Sequence, residues 1–332
     1  MAPSVNRRSP RHDLHPPTAA SFADVLSFPL VWGAIGVPIF FVLSGYVIHR
    51  RAALSPKTSV ARFSPPNFLM RRFVRIYPTL VGALIVTLVC DLAARSLVAH
   101  DENYGPLGWQ GFLGNLAALQ GVVCPPYGSN DPLWSLSIEI QFYLLYPIAL
   151  LCARRLGRWK MLLAALLFSA AGYGLAARTG FIAFPQYYFT WWLGAFLAES
   201  EAAAWKLPRF WWAGAGLALA AGCALTLAGQ TFFAFNLWAL GVAPILYAII
   251  TRGALVEGAL AGALRFVGKF SYSLYAIHMP LVVLASVVIF HAVKQPGLLP
   301  VVAVWAATVP FAYLFYLAVE RPSVRLLGKM PH

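Results

Sequence analysis

The sequence predicts an all-α fold, a polytopic transmembrane helical bundle of about nine spans. Three observations predict it. The 332-residue chain is 60% hydrophobic and 11% charged, with a mean hydropathy of +0.70, whereas a soluble domain carries about 25% charged residues. Its apolar residues fall in long continuous runs and do not alternate, which selects helices over a β-barrel. Its Lys and Arg sit between those runs, mostly on one side. An ordinary cytosolic enzyme, a disordered chain and a nucleic-acid-binding protein are excluded, because the formal charge of +14 is distributed as a topology signal.

Residues 1–27 are a polar, Pro-rich basic tail without the apolar stretch of a signal peptide. One transmembrane domain, 28–325, follows, and 326–332 is a short tail. A crossing helix needs about 20 mostly apolar residues, because the hydrocarbon core is about 30 Å thick. Nine segments qualify, some barely: 28–48, 76–94, 132–153, 161–177, 182–198, 210–228, 235–251, 270–290 and 298–319. The uncharged run 210–251 is too long for one span and breaks at Gly229-Gln230 and Asn236. The stretch 107–123 is interrupted by glycine and reads as an interfacial or re-entrant helix.

Orientation follows from Lys and Arg. The loop 49–75 holds Arg50, Arg51, Lys57, Arg62, Arg71, Arg72 and Arg75. With 154–160, 199–209, 252–269 and the C-terminal tail, nineteen basic residues share a side, against Arg95, Arg178 and Lys294 opposite. The nineteen mark the cytoplasm and place the C-terminus inside. Nine spans then put the N-terminus outside, although it carries Arg7, Arg8 and Arg11. A further span ahead of residue 12 removes the conflict; a short basic tail that tolerates translocation is the alternative. The cysteines Cys90, Cys124, Cys152 and Cys223 have neither paired spacing nor a metal-ligand pattern.

Charges inside the bilayer cost roughly 2.5–3.5 kcal/mol on insertion scales, so they default to functional candidates. Glu139 is one. Asp131 and Pro132 are good N-cap and first-turn residues, so its helix starts near the outer surface. Ser135, Phe142 and Tyr143 share its face at three- and four-residue spacing. His278 is the second. Its helix enters from the opposite side near Gly268, with Ser271 and Tyr275 on its face and Pro280 after it. Counting residues puts Glu139 and His278 at similar depths, as a shared polar cavity requires. The plainer readings are a carboxyl hydrogen-bonded for packing and a neutral imidazole bonded to a backbone carbonyl. Arg71, Arg72 and Arg75 crowd the inner mouth of span 76–94, where guanidinium groups suit phosphates, although topology alone also accounts for them. Asp91, Asp101, Glu102, His49, His100, His291 and His332 read as solvated charges near span ends, loops or the tail. There is no nucleophile elbow, Walker loop or HExxH pattern.

Five motifs carry a resemblance. The run Phe40-Phe41-Val42-Leu43-Ser44-Gly45-Tyr46, the Arg71-Arg72-Phe73-Val74-Arg75-Ile76-Tyr77-Pro78 entry, and the stretch Trp134-Ser135 through Glu139, Gln141, Phe142 and Tyr143 to Pro147 come first. Ser271-Tyr272-Ser273-Leu274-Tyr275-Ala276-Ile277-His278 and Glu320-Arg321-Pro322 complete the order. From about residue 33 to 325 the chain resembles the integral-membrane acyltransferase type 3 family, the O-acetylases and related acylases of bacterial polysaccharides, nodulation factors and antibiotics. The resemblance implies transfer of an acyl group, most often acetyl, from cytoplasmic acyl-CoA (acetyl-CoA) to a hydroxyl of a glycan or other acceptor. No cofactor or metal is implied; the donor is a substrate. The implied partners are membrane lipids, acyl-CoA and the hydroxyl acceptor.

By the same resemblance His12, or else His15, stands for the family's first-helix histidine and acts as general base. Glu139 orients it or the acceptor, and His278 supports the site. Trp134, Ser135, Gln141, Tyr143, Ser271 and Tyr275 line the substrate path, and Arg71, Arg72 and Arg75 meet CoA phosphates. The family's first helix, with its Arg, is not recognisable here, which implies a chain truncated at its start. Ile140 and Pro38 stand where many relatives carry acids. A lipid-linked glycan flippase or small-molecule exporter, using the same cavity without covalent chemistry, is the rival reading.

Overall fold

The computed structural model describes residues 29–55, 63–97, 105–179, 184–252, 258–290 and 298–329. The predicted tail 1–27, with His12 and His15, lies outside the described residues. So do Asp101, Glu102, His100, His291, Lys294 and His332.

The chain is an all-α polytopic bundle. In chain order α1 is Pro29–Leu54, α2 Pro65–Leu97, α3 Trp109–Leu116, α4 Leu133–Thr179, α5 Tyr188–Ala202, α6 Trp211–Leu227, α7 Thr231–Arg252, α8 Ala259–Phe290, α9 Leu298–Phe315 and α10 Arg321–Leu327. A 3-10 turn, Phe184–Tyr187, precedes α5, and a π turn, Tyr316–Glu320, joins α9 to α10. Among the described residues six helices are long and apolar enough to cross a membrane. Each of the nine predicted segments falls mainly on helix. Residues 132–153 and 161–177 are the two arms of α4, whose 47 residues would measure about 70 Å if straight, twice the hydrocarbon thickness. Gly157, at φ +73°, turns the chain between the arms. The break expected at Gly229-Gln230 is a glycine cap. Gln230 N–H donates to the Leu225 carbonyl at 2.8 Å and Gly229 N–H to that of Thr226 at 3.1 Å, with Gly229 at φ +73°.

Two helices are longer than their apolar runs. α2 begins at Pro65 and α8 at Ala259, so Arg71, Arg72 and Arg75 sit on a helix and not in a loop. Long Arg stems tolerate this, because their aliphatic portion covers apolar surface while the head reaches outward.

α5 is short, 15 residues, and deeply buried. Trp191 and Trp192 are fully buried, and almost every residue of α5 is covered. It packs most extensively against α1. The contact depends on Gly45 and Gly194: a Cβ on either would run into the other helix's backbone, as in membrane helices that approach through small residues. α6 and α7 form a hairpin, and α2, α8 and α9 pack together on the far side.

The stretch 105–131, which contains α3, packs against the start of α4. Gln120 Nε2 donates to the Leu133 carbonyl at 2.9 Å, and Ser137 Oγ donates to the Gln120 carbonyl at 2.7 Å. Asn115 is buried and accepts the Tyr127 N–H at 3.0 Å.

Two expectations fail here. Asp91 is fully buried, not solvated. It accepts the Ser129 N–H at 2.7 Å and the Ser129 hydroxyl at 2.6 Å, and these bonds compensate a buried carboxylate. Gly128, at φ +57°, lets the loop approach; a Cβ there would strike Asp91. His49 is also fully buried. Nε2 lies 2.7 Å from Glu199 Oε1 and Nδ1 3.2 Å from the Tyr146 hydroxyl. Close by, Arg50 and Tyr46 hold Glu201 at 2.8 and 2.7 Å. These pairs fasten α1 to α5 and, through Tyr146, to α4.

Candidate active site

The centre of the bundle is Glu139. It is 3% exposed, on the face of α4 that also carries Ser135, Phe142, Tyr143 and Tyr146. Ser44 Oγ donates to Glu139 Oε1 at 2.6 Å, and the Tyr143 hydroxyl donates to the same oxygen. Trp191 Nε1 donates to Ser44 Oγ at 3.2 Å. Residues from α1, α4 and α5, up to 147 positions apart, thus converge on one carboxylate. Ser44 is placed by its neighbour: Gly45 permits the α1–α5 approach, which brings Trp191 to the serine. Among the described residues no hydrogen bond reaches Glu139 Oε2.

Arg72 closes one side. Its guanidinium lies over the Tyr143 ring, 5.5 Å from the centroid, and over Phe68 at 5.4 Å. It makes no hydrogen bond or ion pair with a described residue. A cavity of about 360 Å³ opens between α2 and α4 beside it, lined by Arg72, Tyr143, Tyr77, Phe73, Ile140 and Ala117 among others. That volume lies within the range of small-molecule sites.

The expected trio of arginines is divided. Arg75 pairs with Glu320 at 3.4 Å, and Arg71 donates to the Leu327 carbonyl at 3.3 Å. Helical spacing explains the split: positions 71 and 75 share a face, and 72 is turned about 60–100° away. Glu320 also accepts the Ser273 hydroxyl at 2.6 Å and the Ser273 N–H at 3.1 Å. The π turn brings it there, and such turns recur at functional sites.

Tyr275 joins α8 to the start of α4. Its hydroxyl donates to the Pro132 carbonyl at 2.7 Å and lies 2.5 Å from Ser135 Oγ. Its ring stacks with Phe40 at 6.1 Å. His278 is one turn beyond. Nδ1 lies 2.8 Å from the Tyr275 carbonyl, which assigns the proton to Nδ1 and leaves Nε2 as an acceptor; the ring stacks on Trp305 at 6.1 Å.

Glu139 and His278 do not share a depth. With Tyr275 opposite Ser135 and the helices antiparallel, their backbone levels differ by about 10 Å, at 1.5 Å per residue. The equal-depth reading started its count at Gly268, whereas α8 begins at Ala259. Three other candidates stay outside the cluster. Ser271 is exposed and donates to the Gly268 carbonyl at 3.1 Å. Gln141, about 200° round the helix from Glu139, hydrogen-bonds to no described residue. Trp134 is half-buried, its ring 5.3 Å from that of Tyr187. The sequence reading missed Ser44, Trp191 and Glu320 as site neighbours. Ser44 and Glu320 lay in recognised motifs; Trp191 sat in an apolar run that carries no chemical signal.

The profile of the family described as "Acyltransferase domain" matches residues 9–317. The chain belongs to that family. Among curated relatives, "Acyltransferase MdmB" of Streptomyces mycarofaciens is 36% identical over 119 residues, covering 35% of this chain and 28% of its own. "Nodulation protein 10" of Rhizobium leguminosarum bv. viciae is 28% identical over 158 residues, covering 40% of this chain and 36% of its own. "Peptidoglycan O-acetyltransferase OatA" of Listeria monocytogenes is 26% identical over 329 residues, covering 87% of this chain and 51% of its own. The chain therefore spans about half or less of the length of these three relatives. No solved structure matches it. The family's match runs through the Ser44, Glu139 and Tyr275 helices together.

Proposed function

We propose that this protein is a membrane-embedded O-acyltransferase that moves an acyl group, acetyl first of all, from cytoplasmic acyl-CoA to a hydroxyl of a glycan or similar extracytoplasmic acceptor. The observation that carries this reading is the Glu139 carboxylate, buried in the bundle with one oxygen held by Ser44 and Tyr143 and the other bonded to no described residue. Burying a carboxylate is costly, and membrane proteins keep such groups mainly where they serve chemistry. Family membership and the naming of OatA as an O-acetyltransferase support the reaction class.

The acceptor hydroxyl attacks the thioester carbonyl, losing its proton to a base. A positioned base contributes typically 10²–10⁴-fold. We assign that base to His12, which lies outside the described residues, and assign Glu139 to orienting the base or the acceptor. Arg72, unpaired among the described residues and facing the 360 Å³ cavity, is the arginine that meets the donor's phosphates. Arg71 and Arg75, already engaged by Leu327 and Glu320, hold the helix that presents it. Tyr275 and Ser135 keep α8 seated on the mouth of α4, and His278 packs α8 against Trp305 of α9. The reading also places the protein in the bacterial inner membrane with the basic face and C-terminus in the cytoplasm.

The test is a label chase. Membranes containing the protein are incubated with [1-¹⁴C]acetyl-CoA, and the glycan fraction is treated with mild alkali. Alkali-released acetate above that of membranes lacking the protein is the expected result. Movement of unmodified glycan without label would overturn the reading and favour a transporter.

A further inference from the structure

Tyr272 has a role that neither family membership nor the Glu139 cluster assigns. Its hydroxyl is buried and has no hydrogen-bond partner among the described residues. Its surroundings are nevertheless well ordered. The Arg75 guanidinium lies over the ring, 5.8 Å from the centroid. The ring packs against the same core as Phe41, Tyr143 and Trp191. The next residue, Ser273, is fixed to Glu320 through its N–H and its hydroxyl, and Glu320 also pairs with Arg75. One carboxylate therefore holds both the backbone beside Tyr272 and the cation over its ring.

A buried hydroxyl with no partner is destabilising, and a phenylalanine of the same shape would avoid that cost. Tyr143, which hydrogen-bonds Glu139, belongs to the core against which Tyr272 packs. Glu139 contributes the complementary feature, since both hydrogen bonds it makes to described residues fall on Oε1. Among the described residues a donor on α8 and an acceptor on α4 thus stand in one core without partners. The acyl-transfer chemistry proposed above needs two such groups: an acceptor near the attacking hydroxyl and a donor for the carbonyl oxygen.

We propose that Tyr272 is a catalytic residue whose hydroxyl donates a hydrogen bond to the acyl carbonyl oxygen and holds it as it becomes an oxyanion; this rests on the reading of the Glu139 cluster as the acyl-transfer site. The acceptor oxygen forms a bond to the carbonyl carbon, and the carbonyl π pair moves onto the oxygen held by Tyr272. Collapse restores the carbonyl and breaks the carbon–sulfur bond. The proton taken from the acceptor hydroxyl by the base ends on the departing thiolate. Tyr272 keeps its own proton throughout. Its task is electrostatic stabilisation, for which a single donor in a water-excluded site is worth 10²–10³-fold in turnover.

The experiment is Tyr272→Phe, with Glu139→Gln in parallel, in membranes given [1-¹⁴C]acetyl-CoA, together with thermal unfolding of the purified variants. For Tyr272→Phe, label transfer at saturating donor falls 10²–10³-fold, KM for acetyl-CoA stays within about threefold, and the unfolding midpoint is unchanged or higher, because the lost hydroxyl had no partner. Transfer within threefold of wild type while Glu139→Gln is inactive overturns the role of Tyr272 alone. A lowered midpoint alongside lost transfer also overturns it, as a structural hydroxyl. Wild-type transfer in both variants would instead remove the Glu139 site on which the proposal stands.

Discussion

Replacing His49 by Ala tests the packing around the site most severely. The imidazole is fully buried and bridges Glu199 at 2.7 Å and the Tyr146 hydroxyl at 3.2 Å, so it links α1, α4 and α5. Removing the partner of a buried hydrogen bond to a carboxylate leaves that group unsatisfied, which costs about 3 kcal/mol or more. Glu199 is 29% exposed and recovers some hydration, which lowers this to about 2–3 kcal/mol. The emptied imidazole volume beside Trp192, whose ring lies 5.4 Å away, adds about 1 kcal/mol more. A total of about 3–4 kcal/mol corresponds to a fall in midpoint of roughly 4–6 °C for a chain of this size. Scanning calorimetry in detergent reports the transition without a label; thiol reactivity would not, because Cys152 is exposed in the folded chain. Pairing the change with Glu199→Gln in a double-mutant cycle isolates the interaction, expected at about 1–3 kcal/mol. A midpoint within about 1 °C of wild type, or additive single changes, would refute the bridging role.

Other outcomes follow from the same contacts. Gly194→Leu, which drives a side chain into the α1 backbone, should separate Ser44 from Trp191 and abolish both folding yield and label transfer; the control Gly214→Ala, at an exposed position of α6 with nothing within 4 Å of an added Cβ, should leave both intact. Asp91→Ala strands the Ser129 N–H and hydroxyl and should lower stability by about 2–4 kcal/mol, read as the thermal midpoint. Arg72→Ala should raise KM for acetyl-CoA at least tenfold with a smaller effect on turnover, whereas Arg71→Ala, whose side chain engages the Leu327 carbonyl, should change KM less than threefold.

Much of this arrangement was legible in the sequence, and what was not has identifiable causes. Run length alone located the long helices, because a bilayer demands it, and Gly229 marked the α6–α7 break through its left-handed cap. Glu139 stood out because a charge far inside an apolar run has no inexpensive explanation. Asp91 and His49 did not stand out. Near the end of a span a buried charge and a solvated one look alike in hydropathy, and their partners are 38 and 150 positions away. The match of Glu139 to His278 failed because it assumed where α8 enters. The division of the three arginines was available from the 100° step of the helix, as was the exclusion of Gln141 from the Glu139 face. Trp191 was illegible for another reason: its indole N–H matters only once Gly45 and Gly194 bring two backbones together.

The most direct measurement of the central claim is label transfer from [1-¹⁴C]acetyl-CoA by Glu139→Gln, which preserves shape and removes the charge, compared with wild type at matched membrane abundance and unchanged thermal midpoint. A fall of at least 10²-fold is predicted, because the carboxylate is what Ser44 and Tyr143 are arranged to hold. Transfer within a few-fold of wild type would contradict it and leave Glu139 as a packing group.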